Sequence, residues 1–147
     1  MNNIFYLLAL GAGLLLPMQI AFNNKLTHYS GNPVTSSFIS FSVGTIVLLL
    51  YSITQFSSFQ KSLHQVGQAP GYAWLGGLVG AFYIISTIVA SPKIGLALFL
   101  ALVIGGQLVT SVIVDHFGLL GATVKPVTSL KGIGLLLVFT GILLLKK

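Results

Sequence analysis

The chain has 147 residues, of which 55% are hydrophobic and 5% charged, with a mean hydropathy of +1.00. A soluble domain charges about a quarter of its residues, and seven lysines with one aspartate cannot clothe a soluble surface of this size, so lipid must cover most of the chain. The net charge of +6 comes from lysines scattered singly between apolar runs, without arginine, which argues against a nucleic-acid partner, and the absence of cysteine excludes a disulfide framework and thiolate metal sites.

About 20 apolar residues are needed to span a hydrocarbon core of about 30 Å. The first such stretch covers about residues 4–22; its leader, Met1-Asn2-Asn3, has no basic residue, so a retained span is expected and not a secretory signal. The second covers about 33–53 and is entered through Gly31-Asn32-Pro33, where Asn32 can cap and Pro33 can take the first helical position. In the connection that follows, Phe56, Phe59, Leu63 and Val66 recur at spacings of three, four and three. That pattern predicts an amphipathic helix over about 56–66 lying in the membrane interface with Lys61 towards water. Tyr72 and Trp74 are suited to the re-entry point. Residues 72–117 are too long for one span, at about 69 Å, so the chain must turn; Ser91-Pro92-Lys93 joins a helix-terminating proline to a charge and predicts spans over about 72–90 and 94–117. A short fifth span over about 129–145 ends at Lys146-Lys147, whose stems can snorkel. Residues 1–147 are therefore expected to form a single transmembrane domain.

Five spans put Lys61, Lys125 and Lys131 on the N-terminal side of the bilayer and Lys25, Lys93, Lys146 and Lys147 on the other. Orientation normally follows an excess of basic residues in cytoplasmic connections, and here the α-amino group levels the two sides. Insertion in both orientations is the expectation, with two copies pairing as an antiparallel homodimer of inverted symmetry, since five helices alone enclose little space for a solute path.

Polar groups in hydrocarbon mark inward faces. Gln19 and Asn23 share a face of the first span beyond Pro17; Ser40 and Gly44 lie on one stripe of the second; Gly76, Gly80, Tyr83 and Thr87 form a seam on the third; Gln107, Ser111 and Asp115 follow at steps of four on the fourth. All four stripes could converge on one cavity. Gly105-Gly106-Gln107 lies near the centre of its span, with Ser40 and Tyr83 at similar depth, whereas Gln19 is about 9 Å past the centre of its own. Asp115 sits at a span end, where pairing with His116 or a lysine is the plainer reading and coupling to transport the sharper one. Gly44, Gly76, Gly80, Gly105 and Gly106 suit close helix packing. There is no glutamate, no carboxylate pair, no metal-ligand spacing and no phosphate-cradling loop, so no catalytic residue, metal or cofactor is expected.

Gln19 with Asn23 and Leu26, Phe41-Ser42-Val43-Gly44-Thr45, Trp74-Leu75-Gly76-Gly77 leading to Gly80-Ala81-Phe82-Tyr83, Pro92-Lys93-Ile94-Gly95, and Gly106-Gln107-Leu108 through Asp115-His116-Phe117-Gly118 resemble the YdcZ-type family of five-helix bacterial membrane proteins. The resemblance covers nearly the whole chain and is weakest over residues 54–71 and the fifth span. It implies an inner-membrane exporter of the drug/metabolite transporter superfamily, working as inverted pairs, with Gln19, Asn23, Gln107 and Asp115 as candidate functional positions. The chain is also similar in size to the small multidrug resistance proteins, which depend on a membrane-embedded glutamate in the first helix, where this chain offers only Gln19.

The fold class expected is an all-α integral membrane protein with five transmembrane helices per chain, paired as an inverted homodimer of ten. The function expected is a secondary transporter, in the exporting direction, of a small organic solute by alternating access in the bacterial inner membrane. The substrate path would use Gln19, Asn23, Ser40, Tyr83, Gln107 and Ser111, with Asp115 and His116 as possible coupling groups. The expected partners are the lipid bilayer, a second copy and a small-molecule substrate. A proton-coupled cation exporter, a passive channel and a non-transporting assembly partner are the alternatives.

Overall fold

A computed structural model describes residues 3–146. Met1 and Asn2 of the leader and Lys147 of the terminal lysine pair lie outside the described residues. Every regular element among the described residues is helical: α1 (Asn3–Ser30), α2 (Pro33–Thr54), α3 (Phe56–Val66), α4 (Leu75–Ile94), α5 (Leu96–Phe117) and α6 (Ser129–Leu145), with short 3₁₀ turns at Gly71–Trp74 and Leu119–Gly121. Four segments, α1, α2, Gly71–Ile94 and α5, are long and apolar enough to cross a membrane. The fifth, α6, is apolar but has 17 residues, about 26 Å.

The chain divides into two compact units, Met1–Val89 and Ala90–Lys147, the division falling inside α4. In the first, α1 and α2 form a hairpin. Gly31 closes α1 at φ +69°, its N–H donating to the Thr27 carbonyl at 2.8 Å, a left-handed position suited to glycine. Asn32 Oδ1 then accepts from the N–H groups of Val34 and Thr35 at 2.8 and 3.4 Å, and Pro33 opens α2 where no N–H is needed. Across the hairpin the Thr27 and Ser36 hydroxyls are hydrogen-bonded. At its far end α2 bends at Gln55 into α3, whose Phe59 N–H donates to the Gln55 carbonyl at 2.9 Å.

In the second unit α5 and α6 pack together. A Cβ placed on Gly105 would lie 2.9 Å from Ile142 Cδ1 and 3.7 Å from Phe139 Cε1, so the missing side chain is what lets α6 approach. The connection between them is tied back to the end of α5. Gly118 takes a left-handed φ of +62°, Lys125 N–H donates to the Asp115 carbonyl at 2.8 Å, and Val127 N–H donates to His116 Nδ1 at 3.2 Å. Thr128 Oγ1 caps α6.

Two boundaries differ from those expected. First, α1 does not stop at Phe22 but continues to Ser30, 28 residues or about 42 Å, because Asn23 to Ser30 contains no breaker before Gly31. Second, the turn between the third and fourth long helices falls at Gly95 and not at Ser91-Pro92-Lys93. Proline deprives a helix of one donor, but Pro92 stands in the last turn of α4, which runs on to Ile94. Gly95, at φ +86°, then ends α4 by donating to the Ser91 carbonyl and starts α5 by accepting from Phe99 N–H, both at 3.0 Å.

Burial is inverted relative to a soluble domain. The side chains most enclosed include Asn23, Ser36, Ser37, Thr87 and Ser91 beside Ile20, Ile84, Ile88, Phe99 and Ile142, while large apolar residues such as Leu14, Leu48, Phe82 and Leu136 face outward. This is the distribution expected when the surroundings are hydrocarbon and polar groups must find cover inside.

Candidate functional site: a polar cleft among three helices

In the first unit α1, α2 and α4 enclose a cleft of about 200 Å³. From α1 come Gln19, Ile20 and Asn23; from α2, Phe41; from α4, Gly80, Tyr83, Ile84 and Thr87. The helical repeat explains the set, since positions three or four apart share a face. Tyr83 follows the midpoint of the Gly71–Ile94 segment, and Phe41 lies two to three residues from that of α2. With α1 extending to Ser30, Gln19 is about 4 Å from the midpoint of its helix and not about 9 Å, because the helix is longer than its apolar core.

The electrostatics are those of neutral dipoles. Asn23 is 4% exposed, and its side-chain amide makes no hydrogen bond among the described residues, although its carbonyl accepts from Thr27 Oγ1 at 2.9 Å. The Tyr83 hydroxyl oxygen is enclosed and likewise without a hydrogen-bond partner. Thr87, 1% exposed, spends its hydroxyl hydrogen on the Ile84 carbonyl at 2.7 Å and keeps its oxygen as an acceptor. No lysine, histidine or aspartate lines this cleft. A Cβ on Gly80 would meet Phe41 Cζ at 3.6 Å, an ordinary contact that would take up part of the space.

In the second unit one face of α5 forms an open concavity of about 490 Å³ lined by Val103, Gly106, Gln107, Thr110, Ser111, Val114 and Asp115. Gln107 follows the midpoint of α5 and is exposed; Ser111 donates its hydroxyl to the Leu108 carbonyl at 3.0 Å. Among the described residues Asp115 makes no ion pair within 4 Å, and no group of three or more metal-ligating side chains occurs.

Of the expected path residues, then, Gln19, Asn23 and Tyr83 meet in one cleft, and Gln107, Ser111 and Asp115 share one face of α5 in the other unit. Ser40 is half-buried and lines neither; its neighbour Phe41 takes the place on α2. His116 faces the α5–α6 connection, where its Nδ1 accepts a backbone N–H. Of the five glycines expected at helix contacts, Gly80 and Gly105 face a neighbouring side chain, while Gly44, Gly76 and Gly106 have nothing within 4 Å of a Cβ position. Of the lining residues not named in the expected path, Thr87 lies on the seam expected on α4 and Phe41 on none of the expected stripes. Thr87 was signalled by its place four residues after Tyr83, and Phe41 by nothing in a helix apolar nearly all round.

Residues 4–144 match the family model described as "Putative inner membrane exporter, YdcZ". No curated protein and no solved structure matches the chain.

Proposed function

The chain belongs to the YdcZ inner membrane exporter family, and from that premise we propose that it is a secondary transporter of the bacterial inner membrane, carrying a small organic solute outward by alternating access as an antiparallel homodimer. One observation carries the reading: membrane-length helices bring Gln19, Asn23 and Tyr83 around a cleft in which Asn23 is buried and the Tyr83 hydroxyl is enclosed without a hydrogen-bond partner. An unsatisfied polar group away from water costs about 1–3 kcal/mol, a cost that a solute able to complete the missing hydrogen bonds removes. The near-equal lysine distribution across the bilayer supports pairing of opposite orientations, because neither insertion direction is favoured by it.

Counterflow in proteoliposomes tests the transport reading. Labelled solute should accumulate transiently against unlabelled solute and saturate with concentration. Unsaturated flux would mean a pore, and no flux across a chemically varied solute library would leave a non-transporting membrane partner. Asp115 is the single acid available for proton coupling; if it couples, Asp115→Asn abolishes pH-gradient-driven uptake while counterflow continues, and gradient-driven transport equal to the parent's removes it from the mechanism.

A further inference from the structure

We infer that the cleft between α1, α2 and α4 selects small neutral solutes carrying an amide or lactam edge on an apolar ring, and rejects cations and anions of the same shape; this rests on the transport reading and names its substrate class. Size sets the first limit. A cavity of about 150 Å³ accommodates one benzene, so about 200 Å³ admits a single substituted ring and excludes the larger lipophilic solutes that need pockets of about 300 Å³ or more.

Charge sets the second. The lining has no aspartate, glutamate, lysine, arginine or histidine, and an ion brought there would lose its hydration without a counter-charge, a loss larger than any neutral hydrogen bond returns. Hydrogen-bond chemistry sets the third. Asn23, buried and lining the cleft, offers a donor and an acceptor side by side, and an amide edge presents the complementary pair. Tyr83 contributes an unpartnered hydroxyl and Thr87 an acceptor, while Phe41 and Ile84 supply apolar walls for the ring.

Benzamide, benzoate and benzamidinium share one shape and differ in charge, which makes them the probes. Binding to the purified full chain, measured by thermal shift and by equilibrium titration, should appear for benzamide and be at least about tenfold weaker for both ions. Asn23→Leu keeps the bulk and removes the amide, and should weaken benzamide by about tenfold. Asn23→Asp should move the preference to benzamidinium. Should either Asn23 variant fail to fold, Gly80→Ala serves, since its methyl meets Phe41 at ordinary contact distance and narrows the cleft; benzamide should bind it more weakly. Equal or tighter binding of an ion, no binding of any probe, or benzamide affinity unchanged in the folded variants overturns the inference. Transport is scored separately: benzamide bound but never exchanged across proteoliposomes defeats the transport reading and spares the cleft, whereas saturable exchange of an ion alone does the reverse.

Discussion

A Cβ at Gly105 would lie 2.9 Å from Ile142 Cδ1, so Gly105→Val must push α6 away from α5 or force Ile142 out of its rotamer. Overpacking of this kind costs about 1–3 kcal/mol. The expected result is a lower unfolding midpoint in detergent for Gly105→Val, partly restored by adding Ile142→Ala. At Gly44 nothing lies within 4 Å of a Cβ position, and alanine is the better helix former by about 1 kcal/mol. Gly44→Ala should therefore leave the midpoint unchanged or raise it; a fall would show that this face has a neighbour outside the chain.

The α5–α6 connection gives the family-like run Asp115-His116-Phe117-Gly118 a structural use: the Asp115 carbonyl, the His116 ring and the left-handed Gly118 fold the following residues back on the helix end. In His116→Phe the Val127 N–H loses its acceptor, and its amide exchange should quicken by roughly threefold to tenfold while amides within α5 keep their rates. Unchanged exchange at Val127 would mean that the histidine bond does not hold the loop. None of this was readable from the sequence, because side-chain acceptors for loop amides have no periodicity. Helix identity was readable, since a 20-residue apolar run admits few other structures in lipid. The turn at Gly95 was legible in principle, but proline drew attention three residues early: Pro92 removes one hydrogen bond in a final turn, whereas Gly95 supplies the positive φ that redirects the chain. In the cleft, the four-residue spacing of Gln19 and Asn23 put them on one face of α1, while the choice of Phe41 over Ser40 turned on a helix rotation that uniform hydropathy does not encode.

For two copies in opposite orientations, a two-fold axis through the midpoint of α5 sets Gly106 of one copy opposite Gln107 of the other. An amide, with both donor and acceptor, can then pair with its own symmetry mate. Because the chain has no cysteine, this is testable with single substitutions in native membranes. If α5 lines the interface, Gln107→Cys should form a disulfide-linked dimer under mild oxidation, its two copies being within bonding reach. Asp115→Cys should not, since antiparallel pairing separates those positions by about 25 Å along the axis. Cross-linking at both positions would indicate parallel copies instead. The hairpin of α1 and α2 bears on the order of events during synthesis. Its closing contacts, from Thr27 to Ser36, are all translated before α4 begins. Until α4 arrives, the flank of Asn23 that Tyr83 and Thr87 later line is open to hydrocarbon. A nascent chain halted near Gln68 thus leaves Asn23 uncovered on that flank, a burial that only the arrival of α4 supplies.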